Sequence, residues 1–432
     1  MDKQLDKIEN DLLSHVNWSG KSKLWLGFLF LLLFVCLYFY YTQLRDGLGV
    51  TAMRDYVSWG IYISNFVFFV ATSLVGMLIG SVLGLLNKEW MRPIGRIAEI
   101  IAVAFAMVAG LIIITDMGRP DRLLNVFIHG RIQSPIVWDI VVVNTYVFVS
   151  LLILYIPLIP DIHICRNKLT GLPKIQQKIY KLLSLGWADT PAQYSLIKQV
   201  LRVCLILIIP LALAIHTVTS WLFAMTLRPG WDSEIFGPYF VAGAFVAGSA
   251  AVVIAMFIFR KQYKLQDYIT DFHFDKMGKL LVLVGLVYVY FNINEIIVPA
   301  YKLKEAAAGH LTSMLYGHES IMFWMIQIFG LLLPIILMMF KPFRKPLPMF
   351  TMSLFVLAAA WLKRYLIVIP IQLHPHFDMQ NVPESFMTYS PTTPEIMITV
   401  GSFVLVLIII TILSKVFPIV PIWEMKKELE NK

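Results

Sequence analysis

Long apolar runs separated by short charged segments dominate this chain from residue 24 to residue 420. A helix needs about 20 apolar residues to cross a hydrocarbon core of about 30 Å. Ten runs approach or exceed that length: 24–41, 58–86, 97–115, 136–159, 200–226, 238–259, 278–300, 320–340, 349–371 and 395–420. They predict an all-α polytopic membrane protein with ten transmembrane helices. The first run follows 23 largely polar residues and has no small-residue cleavage site after it, so it reads as a retained anchor. The plan of ten spans suggests two groups of four, spans 2–5 and spans 6–9, with spans 1 and 10 peripheral. The expected segments are 1–57, 58–226 (first bundle, holding the site), 227–371 (second bundle) and 372–432. Spans 2 and 6 start on the same side, so such repeats would be parallel. Only a weak similarity links YVSWGIYISNFVFF (56–69) with FGPYFVAGAFVAGSAA (236–251).

Charge sets the expected orientation. The N-terminus, the loops after even-numbered spans and the C-terminal tail carry 23 Lys and Arg, and the other loops carry 8. That bias predicts that both termini are cytoplasmic. The long loop 160–199 then lies inside. Within it Leu172, Ile175, Ile179 and Leu182 follow helical spacing, with Lys174, Lys178 and Lys181 on another face. This pattern predicts an amphipathic helix on the inner leaflet, against the simpler reading of a solvated connector.

Composition excludes several classes. The chain is 58% hydrophobic and 15% charged, with mean hydropathy +0.73. The net charge of +9 sits in short loops between spans, which is membrane topology rather than a nucleic-acid surface. Cys36, Cys165 and Cys204 form no C-x-x-C pair, so no iron–sulfur or structural zinc site is expected in this chain. No P-loop is present. Haem would need axial pairs from spans, and only one histidine lies deep in a span.

Ionisable groups at membrane depth cost at least about 2.5–3.5 kcal/mol and so need a partner or a task. Asp116 ends span 3, and Asp139 lies one turn into span 4. His216 lies about 15 Å from the outer end of span 5. Glu295, Lys363 and Arg364 lie in the outer parts of spans 7 and 9, and Glu99 stands alone near the inner end of span 3. Each also has a purely structural reading. Asp116 can cap its helix or pair with Arg119. Asp139 can be a first-turn acid favoured by the helix dipole. His216 can be a packed histidine, Lys363 and Arg364 can pair with Glu295, and Glu99 can be interfacial. Two acids and a histidine near an apolar cleft suit a quinol, whose two hydroxyls must be hydrogen-bonded and whose protons must be accepted.

The segments DMGRPDR (116–122), SPIVWD (134–139), HTVTSWLFA (216–224), RPGWDSEIFGPYFVAGA (228–244) and WLKRYLIVIP (361–370), in this order, resemble the NrfD/PsrC family of quinone-interacting membrane subunits. The likeness covers about 50–420 and is greatest to ten-span members of alternative complex III and related respiratory complexes. It implies two four-helix bundles without haem, a quinone site near the periplasmic side, and an iron–sulfur (ferredoxin-like) subunit docked outside. Asp116 stands where many relatives have histidine before Gly-Arg-Pro, and Asp139 is the acid of the SPIVWD motif. Both are expected at the catalytic quinone site, with Arg119, His129 and His216 as further contacts. Two departures stand out: Leu222 replaces a frequent acid after HTVTSW, and Lys363 stands where relatives often have glutamate.

The resulting expectation is a multi-pass subunit of a bacterial inner membrane that binds menaquinone or ubiquinone and exchanges electrons with a peripheral iron–sulfur subunit. Multihaem cytochrome c or molybdopterin-type subunits and other membrane subunits would complete the assembly. A proton path would use Glu99, Asn144, Tyr146, Thr217, Ser220 and Glu295. Two other classes compete: a secondary transporter with outward acids as coupling sites, and a structural anchor with a degenerate quinone site. No span is interrupted near its middle by a Gly/Pro pair, which counts against the transporter.

Overall fold

The structure, a computed structural model, describes residues 2–16, 18–85, 89–169, 171–302, 305–377 and 380–430. Among them the regular elements are helices. In chain order these are α1 (Asp2–Leu13), α2 (Gly20–Asp46), α3 (Ile61–Leu85), α4 (Arg92–Asp116), α5 (Asn125–Ile128) and α6 (Pro135–Tyr155). There follow α7 (Leu158–Lys168), α8 (Lys174–Leu183), α9 (Pro191–Ala224), α10 (Phe236–Gln262), α11 (Asp271–Lys302) and α12 (Glu305–Tyr316). The chain closes with α13 (Ser320–Met325), α14 (Leu333–Met339), α15 (Pro346–Gln372), α16 (Thr393–Val416) and α17 (Ile422–Glu430).

Ten helical segments among the described residues are long and apolar enough to span a membrane, matching the ten predicted runs. Helices α3, α4, α6 and α9 close one ring of neighbours, and α10, α11, α13–α14 and α15 close a second. Both bundles of the sequence reading are therefore present. They meet through α3 against α10 and α15, while α2 and α16 pair at the periphery. Small residues allow the close crossings, as expected where lipid supplies no hydrophobic drive between helices. Gly76 lies directly on the Ala98 carbonyl, and a side chain at Gly248 would meet Val75 Cβ at 2.5 Å.

Both termini share one face. Glu9 of α1, itself buried, pairs with Lys168 of α7 and Lys426 of α17. Beneath them Arg96 of α4 donates to Asp161 of α7 at 2.5 Å, and Asp161 also accepts the backbone N–H of Trp423 at 3.0 Å. This terminal face carries the loop expected at 160–199, which folds as α7, α8 and the first turns of α9. Helix α8 buries Gln176 and Tyr180 and leaves Ile175 and Leu182 exposed beside its lysines, the disposition of a helix lying on a lipid surface.

Two helices depart from regularity. Pro210 lies inside α9, yet the helix is continuous over its 34 residues. Between α13 and α14 a π-helical segment, Ile326–Leu332, interrupts the eighth span just before Pro334. The sequence reading expected no such interruption.

Candidate functional site

The face opposite the termini holds the acids. Helix α6 starts at Pro135, a first-turn position where a missing N–H costs nothing. One turn later Asp139 points into the bundle and is 6% exposed. The Thr219 hydroxyl of α9 donates to Asp139 Oδ1 at 2.6 Å. His216 precedes Thr219 by three residues and so shares its helix face. Its Nδ1 lies 3.2 Å from the Ala212 carbonyl, which requires the hydrogen on Nδ1 and leaves the neutral ring's lone pair on Nε2. That Nε2 is buried and has no partner among the described residues.

Asp116 closes α4, the helix that packs against α6. Gly118 turns the chain with φ +66°, and a Cβ there would strike Leu48 Cγ at 2.6 Å. The end of α4 is tied down from two sides: Gln43 of α2 donates to the Thr115 carbonyl at 2.9 Å, and Tyr62 of α3 donates to Gln43 Oε1 at 2.7 Å. Asp116 Oδ1 is buried without a partner among the described residues. Glu395 and Tyr62 lie within its electrostatic reach. The structure therefore groups Asp139, Thr219 and His216 tightly. It sets Asp116 at the same end of the bundle, near Tyr62 of α3 and Glu395 of α16.

Other expected site residues fall elsewhere. Arg119 pairs with Asp121 at 3.1 Å on the exposed surface, not with Asp116, because both side chains belong to the same surface turn. His129 is exposed after α5. Asn144 lies on the outward face of α6 and donates to the Ile140 carbonyl of its own helix, so it does not line the bundle interior. Thr217 is half-buried and donates to the Leu213 carbonyl. Tyr146 is fully buried and donates to the Ser73 carbonyl, and Ser220 is buried and donates to the Thr217 carbonyl. Glu99 is half-buried near Gly80 at the terminal end of α4.

Glu295 belongs to a separate cluster in the second bundle. It accepts from Lys363 Nζ at 2.7 Å and from Tyr239 at 2.9 Å. Asn292 Oδ1 accepts from Tyr239 and, at 3.1 Å, from Gln327 in the π segment. Arg364 does not join Glu295. Its guanidinium stacks over Phe240 at 4.7 Å and presses on Gly243, and Nη1 is buried without a partner among the described residues.

Two features escaped the sequence reading. Glu395 is fully buried and accepts from Ala52 N, Thr392 N and the Tyr389 hydroxyl. Its signal was legible, since Thr392-x-x-Glu395 before an apolar run is a capping box. Trp231, from the RPGWD segment, is buried and stacks on Trp59 at 5.5 Å, which joins the start of the second bundle to the entry of α3.

Comparison with known proteins adds an independent observation. The family model of polysulphide reductase NrfD matches residues 49–376. A Halobacterium salinarum protein, provisionally named as the membrane subunit of a dimethyl sulfoxide reductase, is 29% identical over 321 residues, 73% of this chain and 69% of that protein. A selenate reductase subunit of Mesobacillus selenatarsenatis is 25% identical over 90% of this chain and 92% of its own. The Hdr-like menaquinol oxidoreductase integral membrane subunit of Archaeoglobus fulgidus is 22% identical over 89% of this chain and 90% of its own.

Proposed function

We propose, from the premise that the chain belongs to the NrfD polysulphide reductase family, that it is the quinone-binding membrane subunit of a multisubunit oxidoreductase. It exchanges electrons between a membrane quinone and an iron–sulfur subunit docked on the face opposite the termini. The excess of Lys and Arg in the terminal-side loops favours that face lying outside the cytoplasm. The names of the relatives, subunits of reductases and of a menaquinol oxidoreductase, favour menaquinone.

One observation carries the reading. Buried polar atoms are ordinarily paired, and an orphan in an apolar setting costs about 1–3 kcal/mol. Asp116 Oδ1 and His216 Nε2 are both buried without a partner among the described residues, in the same bundle as the buried Asp139. Two acceptors and a carboxylate fit a ligand with two hydroxyl donors. A quinol supplies two electrons and two protons when oxidised. In this reading His216 and Asp116 accept the hydrogen bonds of the two hydroxyls, Asp139 takes one proton and the His216 Nε2 lone pair the other, and the two electrons leave to the iron–sulfur subunit. Thr219 fixes the Asp139 carboxyl by occupying Oδ1, so that Oδ2 faces the ligand. The α2 and α3 side chains that grip Thr115 hold Asp116 in place.

The test is the purified assembly. Solvent extraction should release quinone, and turnover with a quinol analogue should depend on Asp139 while the subunits stay together. An assembly that turns over quinol unchanged without Asp139, Asp116 and His216 would leave the structural-anchor reading instead.

A further inference from the structure

Arg364 of α15 is 2% exposed, and its Nη1 is enclosed without a partner among the described residues. A guanidinium taken out of water needs an acceptor, because an unpaired buried donor costs stability and a charged one costs more. Its neighbour Lys363 has one, since Glu295 Oε2 accepts from Lys363 and also from Tyr239. Arg364 instead rests over the Phe240 ring of α10 at 4.7 Å.

Helix α10 sets where the guanidinium lies. Gly243 has no side chain, and a Cβ there would meet Arg364 Nη2 at 2.7 Å, so the glycine is the notch that lets the guanidinium lie against the helix. Phe240, its platform, packs on Phe223 of α9 with ring centroids 5.7 Å apart. Helices α9 and α10 are consecutive spans and so run in opposite directions. A Cβ on Gly237 of α10 would lie 3.7 Å from Thr217 Cγ2 and 3.8 Å from Ser220 Oγ. The next turn of α10, 240–243, therefore stands opposite the turn of α9 that ends at His216. Arg364 and His216 lie within electrostatic reach of each other. A cation of the second bundle is thus brought to the histidine of the first.

The two groups are complementary. Arg364 Nη1 has hydrogens to give and His216 Nε2 has a lone pair to fill, and neither has a partner among the described residues. An anion would satisfy the guanidinium and leave the ring's lone pair unfilled, whereas a hydroxyl accepts from one and donates to the other. From this geometry we propose that Arg364 is a further substrate-binding residue, which donates to the quinol hydroxyl oxygen whose hydrogen His216 accepts. The role depends on the quinone reading of the site and adds the second bundle to it. On oxidation that hydroxyl's proton passes to His216 Nε2 and the other hydroxyl's to Asp139. The two electrons leave to the iron–sulfur subunit, and both oxygens become carbonyls, which only accept. Arg364 has hydrogens for its oxygen in either state, and its charge stabilises that oxygen as the proton leaves.

The experiment uses the purified assembly, with heptyl hydroxyquinoline N-oxide, a fluorescent quinol analogue, as the binding probe. Arg364→Met removes the donors and keeps an unbranched side chain. It should raise the probe's Kd and lower kcat/KM for quinol, each about tenfold or more. The melting temperature should hold or rise, because a buried charge without a protein partner is gone. Gly243→Ala keeps the charge, while its Cβ displaces the guanidinium and the Tyr288 ring 2.9 Å away, and it should raise KM severalfold. Unchanged kcat/KM in Arg364→Met overturns the proposal and leaves an enclosed water as what the guanidinium holds. A lower melting temperature with unchanged probe affinity also overturns it and makes Arg364 a structural residue. Where Arg364→Met fails to assemble, Gly243→Ala decides, and a wild-type KM there overturns the assignment. Asp139→Asn separates the two readings. If it loses turnover while Arg364→Met keeps it, only the role of Arg364 fails; if both keep it, the quinone reading falls as well.

Discussion

Thr219 and Asp139, 80 residues apart in sequence, share a hydrogen bond of 2.6 Å inside the first bundle. The hydroxyl has one hydrogen and gives it to the carboxyl, so the carboxyl's remaining oxygen is aimed by its partner. Asp139→Asn should lower quinol turnover about tenfold or more, because the amide cannot take a proton. Thr219→Val keeps the shape and removes the donor. It should cost a smaller factor, about two- to fivefold, in line with about 0.5–1 kcal/mol at the lower end of what a hydrogen bond contributes. Steady-state turnover of the intact assembly checks both, and wild-type turnover in Asp139→Asn removes Asp139 from the chemistry.

Asp116 and Arg119 separate the catalytic reading from the salt-bridge reading. Arg119 is bound to Asp121 at the surface, where such pairs contribute about 0–1 kcal/mol. Arg119→Ala should therefore leave both turnover and thermal stability nearly unchanged. Asp116→Ala should reduce turnover without loss of thermal stability, since it removes an unpartnered buried oxygen. A drop in melting temperature with normal turnover would reverse the assignment.

The spans were legible because each apolar run is as long as a bilayer is thick. The grouping into bundles followed from their order. The carriers of charge were legible because a carboxylate in an apolar run is conspicuous. What each side chain faces was not legible. In a bilayer the lipid-facing surface is as apolar as the interior, so α6 shows no polar stripe, and nothing in its sequence turns Asn144 outward and Asp139 inward. The partners of Asp139 and Glu295 lie on other helices, 80 and 68 residues away, and need the helix rotations to be known. The pairing of Lys363 rather than Arg364 with Glu295 is of the same kind.

The Lys363–Glu295 pair should be structural. Both side chains are largely buried, and removing one partner leaves an uncompensated charge, which costs about 3–5 kcal/mol in buried pairs. Lys363→Met should lower the melting temperature of the detergent-solubilised protein sharply, and Lys363→Met/Glu295→Met should recover much of the loss. Recovery by the double variant distinguishes a pair from two independent roles. Failure to recover would point to a separate task for Glu295, such as the proton path.

The loop face opposite the termini carries a pH-sensitive contact. His310 of α12 packs on His374 with ring centroids 5.8 Å apart, and its Nδ1 is buried without a partner among the described residues. Burial pushes its pKa down from 6.5 to about 4, with His374 and Lys363 adding to the shift and Glu319 opposing it. The folded ring thus holds a proton less tightly than the unfolded one, and unfolding takes up a proton between those values. Above about pH 6.5 the ring costs nothing. As pH falls through the window the folded form loses stability, and below about pH 4 the loss levels off, at a size on the order of 3 kcal/mol. His310→Gln should flatten this part of the stability profile between pH 4 and 6.5, read by thermal unfolding at constant ionic strength. Hydrogen exchange should localise the acid-induced opening to α12 and the segment after α15. A variant with the same acid slope as the unaltered protein would place the sensitivity elsewhere, in the carboxylates of the opposite face.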